Sequence, residues 1–288
     1  MAKPSVFVLG AQKCGTTTVS ELLAEQREIF VPSVKETYFF CDEQQFVKGS
    51  DWYEREYYSA ASAQGKLLLC DATPFYLCST SALQRLSLYC GEEARFIVTL
   101  RDPVHRAYSA FWHQKRLGNE PMNFEEALEA ESLRIDEAVR MQGRWWRHAY
   151  TEVGFFAKQL ENAFSLLGRE RFLVLSGPDL QNLALLQARL REFLRLPPSS
   201  ALPQTHKANP STMPRFRSVQ HLITKGGFAK SLLKKIIPRE MRSAFGRKIL
   251  SANSVSFDYP AMRPDTKEHL VKLFREDQKK LRDMYVLQ

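Results

Sequence analysis

The residues best able to do chemistry in this chain fall into two short stretches. In the first, Gly10-Ala11-Gln12-Lys13-Cys14-Gly15-Thr16-Thr17-Thr18, a lysine stands inside a glycine-bounded turn followed by three threonines. A turn that leads from strand into helix exposes unpaired backbone N–H donors, and the helix dipole favours negative charge there, so such a turn suits a phosphate. Gly10 and Gly15 let the backbone approach the anion without a Cβ in the way, Lys13 adds a point charge and the threonines add hydroxyl donors. In the second stretch, Arg101-Asp102-Pro103-Val104-His105-Arg106-Ala107-Tyr108-Ser109, an arginine leaves a strand end and a serine follows two helical turns later. A guanidinium fork and a hydroxyl can then reach one phosphate.

The first stretch differs from the loop of ATP and GTP enzymes, where the lysine follows the second glycine and a Ser or Thr after it holds magnesium. Here Thr16 follows Gly15 and the lysine comes earlier. Cys14 lies where a lysine and a helix N-terminus lower a thiol's pKa, which would suit a nucleophile, although a phosphate loop needs only a small side chain there. A third stretch, Lys35-Glu36-Thr37-Tyr38-Phe39-Phe40, sets two charges beside aromatic bulk. Such a pair either faces solvent or lines a cleft.

The elements that must position these groups are legible as apolar runs and helical spacing. Strands are expected at the run beginning Val6, at 66–71, at 95–100 and at 171–176, alternating with helices at 81–89, 104–115, 124–139, 154–167 and 180–196. Strands separated by helices imply a parallel sheet with right-handed crossovers, and ligands collect at the carboxyl ends of its strands. Residues 10–17, 71–74 and 101–103 all fall at that edge. Beyond residue 200, prolines break a basic stretch into short helices before a last helix from Pro264 to Tyr285. The expectation is one α/β domain over 1–288: a three-layer sandwich on a central parallel sheet (1–200), with a helical, basic C-terminal extension (201–288) packed on it.

The formal net charge of +9 points to an anionic ligand or partner. Residues 207–248 carry many Lys and Arg against Glu240 alone, whereas 125–137 is acidic. Five cysteines, without paired C-x-x-C spacing, read as reduced thiols and not as a zinc site. No segment has the uninterrupted apolar length of a membrane span, and the start leaves no room for a secretory signal, so a cytoplasmic location is expected. His105, His113 and His148, without evident partners, read as structural or exposed, and Trp145-Trp146 as core packing.

Taken together, the two phosphate stretches resemble the 5′-phosphosulfate loop and the 3′-phosphate motif, Arg-x-Pro-x-x-Arg-x-x-Ser, of sulfotransferases that use 3′-phosphoadenosine-5′-phosphosulfate (PAPS). Lys35 to Phe40 is similar to the Lys-Glu-x-x-Phe-Phe element of the heparan sulfate branch, and Asp71-Ala72-Thr73-Pro74-Phe75-Tyr76 to its acidic-x-Thr-Pro-x-Tyr element. The resemblance implies a P-loop NTPase-like sulfotransferase fold, with PAPS as sulfuryl donor, no metal, and a saccharide or small metabolite hydroxyl as acceptor. It implies Glu36 as the base and Lys13 as the stabiliser of the leaving group. Gln12, Lys13, Cys14, Gly15, Thr16, Thr17 and Thr18 would hold the 5′ end of the donor, and Arg101 and Ser109 its 3′-phosphate. Two departures stand out: Ala72 replaces the usual lysine of the heparan-modifying enzymes, and their C-terminal Lys-Gly-Arg-x-His-Pro loop is missing. The covering role is assigned to basic residues around 206–209 and 214–217, with Arg215 contacting the donor. These differences look like a soluble bacterial-type relative with neither nucleic acid partner nor membrane span. Two other readings fit parts of the pattern: a nucleotide kinase-like enzyme, and a basic module that holds a nucleotide or nucleic acid without chemistry.

Overall fold

The computed structural model describes residues 3–61, 65–197, 212–214 and 254–286. Its centre is β1 (Val6–Gly10), whose five residues are all buried, as expected of a short apolar run in the middle of a parallel sheet. After the turn comes α1 (Thr16–Ala24), then a two-residue strand β2 (Ile29–Phe30), two short helices α2 (Glu43–Phe46) and α3 (Ser50–Tyr58), and β3 (Leu68–Asp71). Next are α4 (Thr80–Tyr89), with Ser79 as its N-cap, and β4 (Arg95–Thr99). The chain then enters α5 (Pro103–Arg116), where Asp102 caps the helix by accepting from the His105 N–H and Pro103 occupies the first turn.

Helices α6 (Phe124–Glu129), α7 (Glu131–Arg140) and α8 (Phe156–Leu167) precede β5 (Phe172–Leu175) and α9 (Leu183–Phe193). The strands form one parallel sheet in the order β2-β3-β1-β4-β5. The chain runs from β1 to β2 and β3 on one side and then crosses past β1 to β4 on the other, so the carboxyl end of β1 lies where the winding reverses, a natural crevice for a ligand. Alternate residues of the strands face opposite layers. Phe7, Leu9, Phe96 and Val98 pack with α4 and α8 through Leu83, Leu86, Phe156 and Leu160. Val6, Val8 and Ile97 pack with α1 and α9 through Val19, Leu22, Leu186 and Leu190. The result is the expected three-layer α/β sandwich.

Three details differ from the sequence reading. The expected helix over 124–139 is two helices that meet at Ala130, the first closed by a capping box between Asn123 and Glu126. β2 was not expected, and pairs with β3 through Ile29–Leu68 and Phe30–Leu69. A short antiparallel pair, β6 (Thr212–Pro214) with β7 (Ser254–Ser256), appears where only basic helices were anticipated. The last helix, α10 (Pro264–Val286), packs Leu270 and Phe274 against Val104, Ala107 and Phe111 of α5. No helix among the described residues is long and apolar enough to cross a membrane.

Candidate functional site

The turn from β1 to α1 is held from beneath by neighbouring strands and helices. The Ala11 N–H donates to the Thr99 carbonyl at 2.8 Å, and the Thr99 hydroxyl donates to the Gly10 carbonyl at 3.2 Å. A Cβ on Gly10 would stand 2.8 Å from Leu77 Cβ, so the backbone passes too close for any side chain. Gly15 is left-handed at φ 94°, and a Cβ there would meet Leu180 at 2.4 Å. Lys13 is left-handed too, at φ 67°. Gly15 is the N-cap of α1 and supplies no side-chain cap, and the first turn holds no acidic residue. The first N–H groups of α1 therefore keep the donor capacity and positive potential that an anion would satisfy.

The clasp on this loop is Arg106, fully buried and next in sequence to His105 in the first turns of α5. Its Nε donates to the Gln12 carbonyl (3.2 Å) and its Nη2 to Gln12 Oε1 (2.8 Å), while Nη1 reaches the carbonyls of Ala149 (3.1 Å) and Tyr150 (3.0 Å). Gln12, placed with the donor contacts by the sequence reading, thus spends its amide oxygen on Arg106. Arg101 Nη1 donates to the Lys13 carbonyl at 3.2 Å.

Burial, then Arg116, Arg101 and Arg106, hold the Lys13 ammonium down at about 8. Four cationic side chains, Lys13, Arg101, Arg106 and Arg116, act on one another here. Such an assembly is stabilised by an incoming anion. His113 belongs to the same group: burial, Lys13 and Arg116 depress it to about 3, and Arg116 donates to its Nδ1 at 3.1 Å. A guanidinium can only donate, so the neutral ring carries its proton on Nε2. His113 is thus a structural residue of this cluster, and Arg106 and Arg116 join the candidate site without having been named for it in the sequence.

The Lys35-Glu36 pair lies beside the loop. Lys35 Nζ donates to Thr17 Oγ1 at 2.8 Å, in the first turn of α1, and burial lowers its pKa. Glu36 is half-buried and accepts from the Tyr38 hydroxyl. The element is held from below by Asp71 at the end of β3. This carboxylate is fully buried and accepts from Tyr53 (2.7 Å), Thr37 (2.7 Å) and Tyr76 (2.9 Å) at Oδ2 and from Thr73 (2.7 Å) at Oδ1. Thr73 in turn accepts from the Thr37 N–H at 3.0 Å. The acidic-x-Thr-Pro-x-Tyr motif is therefore the seat of the Lys-Glu element. Ala72, which stands where the resemblance implies a lysine, is buried against the β1 and α1 core.

Lys13, Cys14, Gly15 and Arg101 line one cavity of about 580 Å³, together with Asp102, His105 and residues of the Ser176–Gln181 segment. Ser109 follows His105 by one turn of α5, half-buried and outside that lining; Thr16 is buried, and Thr17 and Thr18 are half-buried in the first turn of α1. At Cys14 the expected lowering of the thiol's pKa is corrected: burial pushes it up to about 12, against the pull of Arg106, Arg101 and Lys13, which favours the small-side-chain reading over the nucleophile. Trp146 is buried, as core packing required, with its ring stacked on Phe75 and Tyr38. His105 is exposed beside Asp102, and His148 lies 3.4 Å from buried Glu120. Arg215 lies outside the described residues. Among the described residues no His, Cys, Asp and Glu cluster could hold a metal ion.

The chain is 29% identical over 148 residues to the membrane-associated sulfotransferase kil1 of Dictyostelium discoideum, covering 49% of this chain and 31% of that protein. It is 24% identical over 196 residues to heparan sulfate glucosamine 3-O-sulfotransferase 5 of Mus musculus, covering 68% of this chain and 54% of that protein. The chain thus matches about a third to about half of the length of these relatives. The crystal structure of a sulfotransferase from Alicyclobacillus acidocaldarius superposes with a TM-score of 0.67 at 22% identity, covering 99% of this chain and 96% of that one, which establishes a shared fold. A family model described as the sulfotransferase domain matches residues 3–281, which takes in the β1–α1 turn, the Lys-Glu element and α5 alike, and the chain belongs to the sulfotransferase family.

Proposed function

We propose that this chain transfers a sulfuryl group from PAPS to a hydroxyl of a carbohydrate or small metabolite. The observation that carries the reading is the convergence of Lys13 with Arg101, Arg106 and Arg116 at the uncapped start of α1, one side chain away from Glu36 through Lys35 and Thr17. The cradle fits a doubly phosphorylated nucleotide: bare backbone at Gly10 and Gly15, and a cavity that extends from Lys13 to Arg101. When bound, PAPS supplies the activated sulfuryl group. Lys13 and the N–H groups of α1 would hold its 5′ end, and Arg101 with Ser109 its 3′-phosphate. Their fixed positive charge favours the leaving phosphate as it gains charge, a task that needs no metal because the sulfuryl group carries less charge than a phosphoryl group. Glu36 accepts the proton of the attacking hydroxyl. The name of the mouse relative supports a glucosamine-containing saccharide as the acceptor class to try first.

The test is a thermal-shift comparison of adenosine 3′,5′-bisphosphate with ATP and magnesium, since a ligand that binds only the folded state raises Tm. Stabilisation by the bisphosphate at micromolar concentration is expected. Stabilisation by ATP alone would move the chain to the kinase-like reading. Transfer from PAPS to an N-sulfated heparan oligosaccharide, against a panel of small alcohols, then sets the acceptor class.

A further inference from the structure

Glu36 has a fixed companion on its own loop. The Tyr38 phenol donates a hydrogen bond to Glu36 Oε2, while among the described residues Oε1 has no donor. Three features hold the phenol in place. Tyr38 has left-handed backbone, φ 57°, a conformation that costs an aromatic residue energy. Its carbonyl accepts from the N–H groups of Cys41 (3.2 Å) and Asp42 (2.9 Å), which fixes the turn. Its ring stacks on Phe75 and on Trp146, with centroids 5.8 and 6.3 Å away, and the Arg144 guanidinium lies 4.1 Å over the ring while bonding Asp42 at 2.9 Å. Burial and the Glu36 carboxylate keep the phenol protonated, so it is a lasting donor.

We propose that Tyr38 is a positioning residue for proton abstraction: by occupying Oε2 it orients the carboxylate and leaves Oε1 as the oxygen available to the acceptor's proton. This rests on Glu36 being the base. In that step the acceptor O–H bond breaks with its proton passing to Oε1, and the acceptor oxygen bonds to sulfur. The bond from sulfur to the 5′-phosphate oxygen breaks, releasing adenosine 3′,5′-bisphosphate, and Tyr38 keeps its own proton throughout. A carboxylate free to rotate between two equivalent oxygens would meet the acceptor in fewer productive orientations.

Tyr38→Phe keeps the ring stack and removes the donor alone. The first measurement is proton NMR: a low-field phenol resonance is expected in the wild type and is expected to vanish in both Tyr38→Phe and Glu36→Gln. The second is single-turnover release of adenosine 3′,5′-bisphosphate from PAPS under excess protein, with water as acceptor, so that no other acceptor need be known. The expected result for Tyr38→Phe is release slowed at least about tenfold, with Tm held within about 2 °C and bisphosphate affinity within about twofold. Wild-type release by Tyr38→Phe beside slow release by Glu36→Gln, or no low-field resonance in the wild type, would overturn the proposal alone. A large loss of Tm or affinity in Tyr38→Phe would also overturn it, by showing a structural hydroxyl. Glu36→Gln indistinguishable from wild type would instead remove Glu36 from the chemistry, and the role of Tyr38 with it.

Discussion

Lys13 shows how neighbours set the chemistry of a single side chain. Burial and three arginines bring its ammonium to about 8, so the free protein begins to lose this charge just above neutral pH. Only the protonated form assists an anion, so above pH 8 binding must first restore the proton. The dissociation constant for adenosine 3′,5′-bisphosphate is therefore expected to rise above pH 8 by up to about tenfold per pH unit, and to be flat just below it. Calorimetric titration between about pH 7 and 9.5 checks this, and in Lys13→Ala the dependence should vanish as affinity falls. Arg101 makes a different contribution. It is exposed, and one of its N–H groups is already given to the Lys13 carbonyl, so truncation both frees the loop and removes a charged donor. Arg101→Ala should weaken bisphosphate binding by about 1.5–3 kcal/mol, read by the same titration, with little change in Tm. A wild-type affinity would place the 3′-phosphate elsewhere.

At the scale of elements, the site is a contact between a loop and a helix that the sequence places far apart. Arg106 joins the β1–α1 turn to α5 and to residues 149–150 with bonds to four oxygens, all of them buried with it. Arg106→Met would leave those oxygens without donors, at about 1–3 kcal/mol for each that water cannot reach. A loss of at least about 3 kcal/mol in urea denaturation is expected, with weaker bisphosphate binding because the loop loses its clasp. This clasp marks where reading the sequence stopped. The strands at 68–71, 95–99 and 172–175 were legible because short apolar runs between turn signals have little else to become. The two-residue β2 has no period to read, and the break between α6 and α7 at Ala130 interrupts no pattern, since alanine suits either helix. Lys13, Glu36 and Arg101 stand out in the sequence because their type and spacing are local. Arg106, Arg116 and His113 take their meaning from what they face across the fold, which spacing along one helix does not encode. The pairing of β6 with β7 is equally non-local.

For the molecule as a whole, the question is how the C-terminal helix joins the α/β sandwich. α8 begins at Phe156, and its N-cap position offers no side-chain acceptor. Asp277 of α10 fills that role from another helix, accepting from the N–H groups of Ala157 (3.1 Å) and Lys158 (3.2 Å) and placing a carboxylate at the positive end of α8. One turn earlier, Phe274 is buried against α5, and its ring occupies the space a Cβ on Gly154 would need, at 2.8 Å. The two contacts make α10 a brace between α5, which carries Arg106 and begins just after Arg101, and α8, which underlies the sheet. Asp277→Ala should cost about 1–2 kcal/mol as a lost cap, and Phe274→Ala about 3–5 kcal/mol as a lost core aromatic. Because Phe274 and Asp277 sit on adjoining turns of one helix, their effects should fall short of additive: once either contact is lost, α10 is already looser and the second has less left to break. Urea denaturation of both single variants and the double variant measures this. Losses that add in full would mean that α10 docks through independent contacts, and that α5 and α8 are held in place without it.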